Sequence, residues 1–220
     1  MSALYDQNFG LESCELENHE LGQVSIALRQ QSKLKCRLAP LVFMTDPERV
    51  PDLPAAIGAL PRGCAVIYRH FGAANRKAEA VGLRAATQEA GQQLLIGGGD
   101  VELALSVGAD GVHFKRDAAL AGPHDLRSLY PNLLITMAGL KGPDQAYQTP
   151  LTCLDGLFIS SIFESRSPSA GKPIGVERLK HICAELTVPV FALGGVTQQS
   201  APRLLGTGVS GLAAIGGLIS

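Results

Sequence analysis

The chain has 220 residues, of which 46% are hydrophobic, and a formal net charge of −1 at pH 7. This composition supplies a sizeable core without disulfides, and the near-zero charge gives no support for the basic surface of a nucleic-acid-binding protein. No segment approaches the roughly 18 consecutive apolar residues of a membrane span, and the acidic N-terminus lacks the pattern of a signal peptide. We therefore expect a cytoplasmic protein with no nucleic-acid or membrane partner.

The first predicted elements precede the repeating part of the chain. Residues 1–18 are predicted to form a flexible tail, and residues 19–220 a single domain. Within that domain, apolar residues recur at helical spacing over residues 20–35. This spacing predicts an amphipathic helix ahead of the first strand.

From residue 41 onward, short apolar runs alternate with longer amphipathic stretches. Continuous apolar runs are typical of parallel strands buried on both faces, and apolar residues three and four apart predict the helices between them. The eight predicted strands are residues 41–46, 65–70, 93–98, 111–114, 133–139, 156–161, 189–195 and 211–217. The clearest predicted helices are residues 76–91, 101–109, 175–186 and 198–208.

Strands that alternate with helices predict an α/β fold with right-handed crossovers, and eight such units predict a closed (β/α)₈ TIM barrel. A doubly wound open sheet is the alternative, and it requires residues 111–114 or 133–139 not to be strands. The sequence stops directly after the eighth strand, so we expect the usual last helix to be missing. We expect the helix at 20–35 to cover the resulting gap between the first and eighth strands.

Ligands of such barrels bind at the loops that follow the strands. Two glycine pairs, Gly194-Gly195 and Gly216-Gly217, follow the seventh and eighth strands. Without side chains, their backbone N–H groups can approach an anion, and barrels commonly bind phosphate at these two loops. We predict a phosphate site there, with plain tight turns as the alternative.

The second strand ends in Arg69 and His70. A guanidinium offers a planar fork of donors to a phosphate or carboxylate, and pairing with an acidic residue on the barrel rim is the alternative for Arg69. His70 is a candidate acid or base, although a polar residue with purely structural contacts is the more common role. His113, between apolar residues of the fourth strand, is predicted to be structural.

The sixth strand leads into a Ser-, Gly- and Pro-rich loop over residues 160–173. Ser165, Ser167 and Lys172 offer hydroxyls and a cation to an anionic substrate. Long loops in compact domains are uncommon unless they are functional, so we predict a lid, with a plain solvated loop as the alternative.

Several of these segments resemble one protein family. LVFMTD, VIYRH, VELALSVGADGVHF, ISSIFESRS and FALGGV are similar, in order and spacing, to the signature of thiamine phosphate synthases and their relatives, the thiazole tautomerases. The resemblance runs from about residue 41 to the end. It implies a (β/α)₈ barrel and a transferase of thiamine biosynthesis. Such a transferase joins an aminopyrimidine diphosphate to a small phosphorylated heterocycle, a thiazole phosphate, with Mg²⁺ and release of pyrophosphate.

The resemblance also implies roles for individual residues. Arg69 matches the diphosphate-binding arginine, and Gly194 and Gly195 match the glycines that bind the thiazole phosphate. Ser165 and Ser167 match the hydroxyl positions of the sixth loop. The lysine that the family places just after them is Pro168 here, and Lys172 is the nearest substitute.

The chain departs from the family pattern where the metal and the diphosphate are held. The family's lysine two residues after Arg69 is Phe71, and its Asn-Asp after the third strand is Gly98-Gly99. The change at Gly99 removes an expected Mg²⁺ carboxylate. The family's second metal aspartate falls near Ala118, so Asp117 is the nearest candidate metal ligand, and Asp100 is another. The histidine that tautomerases use after the fifth strand is absent from residues 138–141.

The residues and the resemblance together are compatible with three functions. The first is a thiamine phosphate synthase-like transferase. The second is a protein that binds thiazole phosphate or thiamine phosphate without catalysis, which Phe71 and Gly98-Gly99 favour. The third is a phosphate-using isomerase or tautomerase with His70 as its acid or base. The family resemblance favours the first of these functions, so we expect a thiamine phosphate synthase-like transferase.

Overall fold

Each apolar run forms a strand that is somewhat shorter than the run or equal to it. The computed structural model describes residues 14–115, 121–139, 151–165, 167, 170–215 and 218. Its strands are β1 (Leu41–Met44), β2 (Ala65–Tyr68), β3 (Gln93–Gly97), β4 (Gly111–Phe114), β5 (Leu134–Ala138), β6 (Gly156–Ile159), β7 (Val190–Leu193) and β8 (Gly211–Ala214). Each strand pairs in parallel with the next, and β8 pairs with β1. The closed (β/α)₈ barrel is confirmed and the open sheet is excluded.

Helices surround the barrel. They are α1 (Cys14–Asn18), α2 (Glu20–Gln31), α3 (Leu53–Ala59), α4 (Arg76–Glu89), α5 (Val101–Val107), α6 (Ala121–Leu129) and α7 (Gly175–Glu185). Leu151–Cys153 and Ala201–Leu204 form short 3₁₀ helices. None of these described helices combines the length and apolar character needed to cross a bilayer.

Alternate residues of each strand serve two separate cores. In β2, Ala65 and Ile67 belong to a cluster inside the barrel, whereas Val66 and Tyr68 pack in the layer between strands and helices. Phe158 and Phe191 stack inside the barrel with ring centroids 5.0 Å apart. Because successive side chains of a strand point to opposite faces, this alternation decides which residues at the strand ends face the barrel axis.

Helix α2 covers the seam between β1 and β8, as the sequence predicts. The Arg29 guanidinium donates hydrogen bonds of 2.8 Å to the carbonyl oxygen of Ser210 and 2.7 Å to that of Leu38. The hydroxyls of Ser32 and Ser210 lie 2.8 Å apart. These bonds tie the N-terminal helix to the segments that enter the first and last strands.

The flexible tail predicted for residues 1–18 includes residues that the structure shows as a helix. Residues 14–18 form α1, and Leu16 is buried against α2. A Cβ atom at Gly22 would collide with the Leu16 carbonyl, so the two helices approach closely because residue 22 is glycine. Residues 1–13 lie outside the described part of the chain.

The predicted helix at 198–208 is wrong. Only Ala201–Leu204 is helical, and it is a 3₁₀ helix. Pro202 has no N–H group to donate, and Gly206 and Gly208 adopt the left-handed region with φ of 76° and 89°. These residues interrupt the helical hydrogen-bond pattern that the apolar spacing predicts.

Candidate functional site

Arg69 follows β2 and faces the inside of the barrel mouth, the end where the strands finish. Its backbone N–H donates a 2.8 Å hydrogen bond to the Thr45 hydroxyl, which follows the neighbouring strand β1. Its Nη1 lies 3.7 Å from the sulfur of Met44, a residue of the interior cluster. Burial lowers the pKa of Arg69, and the nearby charge of Asp46 opposes that shift.

The alternative role of Arg69, an ion pair on the rim, does not occur with any carboxylate among the described residues. The half-buried guanidinium therefore keeps donors available at the mouth. A guanidinium in that position is suited to a phosphate or diphosphate.

His70 lies on the other side of the strand end, between β2 and α4. Its Nδ1 is 3.5 Å from the Glu79 carboxylate, and its ring centroid is 5.2 Å from that of Tyr68. The Tyr68 hydroxyl donates a 2.7 Å hydrogen bond to the same carboxylate. His70 thus belongs to the layer between the strands and the helices. The structure does not bring it to the mouth beside Arg69, where an acid or base acting on the same substrate would have to lie.

His113 lies inside the barrel beneath the mouth and is buried. Its Nδ1 is 2.9 Å from the Thr136 hydroxyl, and its ring meets Phe158 edge-on at 5.1 Å. Burial, assisted by the positive charge of Arg69, lowers the pKa of His113 to about 3. The imidazole is therefore neutral near neutral pH, in keeping with the predicted structural role.

The interior position of His113 near Arg69 is a feature that sequence reasoning missed. The alternation of the strand could have predicted this position, because Gly111 and His113 alternate with Val112 and Phe114, which face the helices. The Thr136 hydroxyl also lies 3.3 Å from the Val112 carbonyl oxygen. A hydroxyl has one proton, so when Thr136 donates to Val112 it accepts from His113 Nδ1.

Gly194 and Gly195 follow β7 with φ of 92° and 69°. The loop after β6 packs directly on them. A Cβ atom at Gly194 would lie 2.9 Å from Ser161 Cα, and one at Gly195 would lie 2.7 Å from Phe163 Cβ and collide with the Glu164 carbonyl oxygen. Both glycines are therefore required by the backbone conformation and by the neighbouring loop.

The same turn presents unpaired donors. Among the backbone hydrogen bonds of the described residues outside the strand ladders, none has the N–H group of Gly195 or Val196 as its donor. The Gly195 carbonyl, in contrast, accepts a 2.9 Å bond from the Ser200 hydroxyl. Successive free N–H groups in a left-handed turn form the kind of concavity that binds anions. Gly216 and Gly217, predicted as the second half of this site, lie outside the described residues.

The loop after β6 is fastened at both ends beside Gly194. The Phe163 N–H donates a 3.0 Å bond to the Gly194 carbonyl, and the Ile174 N–H donates a 3.0 Å bond to that of Ser161. Between these points, the half-buried Ser165 hydroxyl accepts a 3.3 Å bond from the Ser167 N–H. Lys172 is exposed. The loop therefore spans the rim next to the glycine turn, and its residues 166, 168 and 169 lie outside the described part.

Comparison with known proteins shows the family to which the chain belongs. The family model described as thiamine monophosphate synthase matches residues 41–218. The chain belongs to the thiamine monophosphate synthase family. The match covers all eight described strands and the loops that follow β2, β6 and β7.

Individual relatives of this family are similar over most of their length. The thiamine-phosphate synthase of Pyrococcus horikoshii is 30% identical over 183 residues, which covers 80% of this chain and 84% of the relative. That of Chloroflexus aurantiacus is 32% identical over 169 residues, covering 74% and 75%. The solved structure of thiamine phosphate pyrophosphorylase from Pyrococcus furiosus has a TM-score of 0.67 and 27% identity, covering 80% of this chain and 85% of that one.

This member of the thiamine monophosphate synthase family has aromatic rings where the resemblance places a metal carboxylate. Gly98 and Gly99 have φ of 86° and 73°. A Cβ atom at Gly98 would lie 2.9 Å from the Phe71 ring, and one at Gly99 would lie 2.8 Å from the Phe114 ring. An aspartate at residue 99 would therefore meet both an unfavourable backbone and a filled space.

Asp100, the other nearby candidate ligand, is already engaged. Its carboxylate caps α5 by accepting a 3.1 Å bond from the Leu103 N–H, and it forms an ion pair with Arg76. No group of three or more His, Cys, Asp or Glu side chains that suits a metal occurs among the described residues. Asp117 lies outside them. The residues that the structure describes do not fit the Mg²⁺ site that the resemblance implies.

Proposed function

We propose that the protein is a thiamine phosphate synthase-like transferase that joins an aminopyrimidine diphosphate to a thiazole phosphate in thiamine biosynthesis. The observation that carries this proposal is the pairing of two anion-binding features at one barrel mouth. Arg69 faces the mouth without an ion-pair partner among the described carboxylates, and the turn at Gly194-Gly195 offers free N–H groups. These features follow β2 and β7, which are separated around the barrel by β1 and β8.

The reaction needs two anionic groups held in a fixed relation. The thiazole nitrogen attacks the pyrimidine methylene carbon, a C–N bond forms, and the C–O bond to the diphosphate breaks. The diphosphate leaves with the electron pair of that bond. The glycine turn would hold the thiazole phosphate, and Arg69 would bind the leaving diphosphate, whose negative charge grows in the transition state.

The loop after β6 would complete the site as a lid. It is anchored beside the glycine turn through Phe163 and Ile174, so a movement of its middle would bring Ser165, Ser167 and Lys172 over a bound phosphate. Closure of such a loop excludes water and adds donors around the substrate. A cytoplasmic location, expected from the sequence, is part of the same proposal.

The test is a turnover assay with both substrates. Purified protein should form thiamine phosphate and release one pyrophosphate for each product molecule. Arg69→Ala should abolish most of this activity, while Arg178→Ala, which removes the same charge from an exposed position on α7, should not change it. Absence of product with folded wild-type protein and both substrates would defeat the proposal.

A second function is favoured by one observation. Phe71 and Phe114 fill the space beside Gly98 and Gly99 that a catalytic metal carboxylate would need. A protein that binds thiazole phosphate or thiamine phosphate without turnover would need the glycine turn but no catalytic metal, so the two rings beside Gly98 and Gly99 would not impair it. Calorimetric binding of thiazole phosphate with no pyrophosphate release would select it. We do not propose the tautomerase, because His70 faces Glu79 on α4 rather than the mouth.

A further inference from the structure

We propose that the side of the mouth formed by the ends of β2, β3 and β4 binds a diphosphate without a metal ion, using Lys115 together with Arg69. The choice of a diphosphate as ligand rests on the proposed function. The site itself rests on contacts between the loops after these three strands.

Gly97 lies beside both Arg69 and Phe71 at the end of β3. A Cβ atom at Gly97 would lie 3.2 Å from Arg69 Cγ and 3.4 Å from the Phe71 ring, so both side chains border the same point at the end of β3. Lys115 follows β4, and its Nζ lies 4.7 Å from the centroid of the Phe71 ring. The Phe71 ring therefore connects the loop after β2 with the loop after β4, and it contacts the Lys115 ammonium while bordering Gly97 together with Arg69.

The charge of Lys115 is available to a ligand. The side chain is exposed, and it forms no ion pair with a carboxylate in the described ranges. Arg76, the other cation near the Phe71 ring at 5.9 Å, is committed to Asp100 and to the Gly97 carbonyl oxygen. Contact with an aromatic face restrains an ammonium group without neutralising it.

Two monovalent cations can supply the charge that a divalent ion would bring to a diphosphate. A bound metal needs several oxygen ligands in a fixed geometry, and Gly98 and Gly99 provide none from their side chains. An ammonium and a guanidinium need only donors directed at the phosphate oxygens. In this proposal, Gly99 stands where the resemblance places a metal carboxylate, and Lys115 on Phe71 supplies positive charge to the diphosphate instead.

Calorimetric titration with inorganic pyrophosphate in EDTA tests the proposal. Wild-type protein should bind pyrophosphate in EDTA at least as tightly as with excess Mg²⁺. Lys115→Met should weaken binding by about tenfold or more, the scale of one charge-assisted contact. Lys35→Met makes the same change in the exposed segment that leads into β1, at the opposite end of the barrel, and should leave affinity unchanged.

A second variant separates the ring from the charge. Phe71→Leu keeps an apolar side chain beside Gly98 but removes the aromatic face, so it should weaken pyrophosphate binding several-fold although Lys115 is present. Binding that requires Mg²⁺, or equal affinity in the wild type and Lys115→Met, would overturn the proposal. This test can be distinguished from the turnover assay. If the protein binds pyrophosphate without metal but forms no thiamine phosphate, only the proposed transferase function fails. If turnover requires Mg²⁺, only the proposal of metal-free diphosphate binding fails.

Discussion

The Phe71 ring occupies the space that a side chain at residue 98 would need, since its nearest carbon lies 2.9 Å from the position of a Cβ atom there. The two residues are 27 positions apart in the printed sequence, and they meet because β2 and β3 are neighbours in the barrel. An aromatic residue after β2 and a glycine after β3 therefore depend on each other.

This dependence can be measured as a coupling energy. Gly98→Ala should lower the free energy of unfolding by about 2–4 kcal/mol, because the new methyl group meets the ring and the backbone at φ 86° is strained for alanine. In a Phe71→Ala background the same substitution should cost only about 1 kcal/mol, the backbone part alone. Urea unfolding of the four proteins gives the coupling, and equal costs in both backgrounds would show that the ring exerts no constraint.

Arg69 is expected to dominate the affinity for diphosphates. Arg69→Ala should weaken binding of an aminopyrimidine diphosphate by about 1.5–3 kcal/mol, the usual scale for a charge-assisted hydrogen bond. Arg69→Lys should lose part of this, because an ammonium keeps the charge but not the planar fork. Calorimetry is the measurement, and Arg178→Ala is the control for net charge. An unchanged affinity in Arg69→Ala would remove this residue from the site.

Gly195 should be essential both for the turn and for phosphate binding. In Gly195→Ala the methyl group collides with the Glu164 carbonyl and approaches Phe163, so thiazole phosphate binding should be lost and stability should fall by more than about 2 kcal/mol. Gly206→Ala is the matched control, since Gly206 has φ of 76° but nothing within 4 Å of its added Cβ. It should cost about 1 kcal/mol and leave binding intact. Unaltered phosphate binding in Gly195→Ala would argue against the glycine turn as the site.

His113 should make the protein less stable in mild acid. Its pKa falls from 6.5 in the unfolded chain to about 3 in the folded state, so between these values the unfolded chain binds a proton that the folded protein does not. The free energy of unfolding therefore decreases as the pH falls through 6.5 towards 3, by at most about 1.4 kcal/mol per pH unit from this residue. Urea unfolding at several pH values should show a shallower dependence in His113→Gln.

The matched control for that experiment is His181→Gln, at an exposed position on α7, which should keep the pH dependence of the wild type. If His113→Gln and the wild type have the same dependence, protonation of His113 is not what destabilises the fold in acid.

The barrel could be predicted from the sequence because its strands are buried on both faces and read as unbroken apolar runs. The glycine pair after β7 and Arg69 after β2 could be located by the same reasoning, since strand ends mark the mouth. Helix α3 gives a weaker signal, because it spans seven residues and includes Pro54 and Gly58. The predicted helix at 198–208 failed because apolar spacing alone does not register the backbone effects of Pro202, Gly206 and Gly208.

Sequence patterns do not predict which side chains contact each other across the mouth. His70 and Arg69 are adjacent in sequence, yet the alternation of β2 sends one towards α4 and the other towards the barrel axis. The contact of Lys115 with Phe71 joins the loops after β2 and β4, which are not neighbouring strands. The strand order, with β3 paired between β2 and β4, brings these loops together.

Helix α2 connects the first and last parts of the barrel at the end opposite the mouth. Arg29 bonds to Ser210, 181 residues later, and Gln31 accepts a 2.9 Å hydrogen bond from the Gly206 N–H in the segment that follows the glycine turn. Ser210 directly precedes β8, the strand that pairs with β1 and closes the barrel. The docking of α2 therefore depends on residues from the far end of the sequence, and contacts of such high sequence separation form slowly in folding.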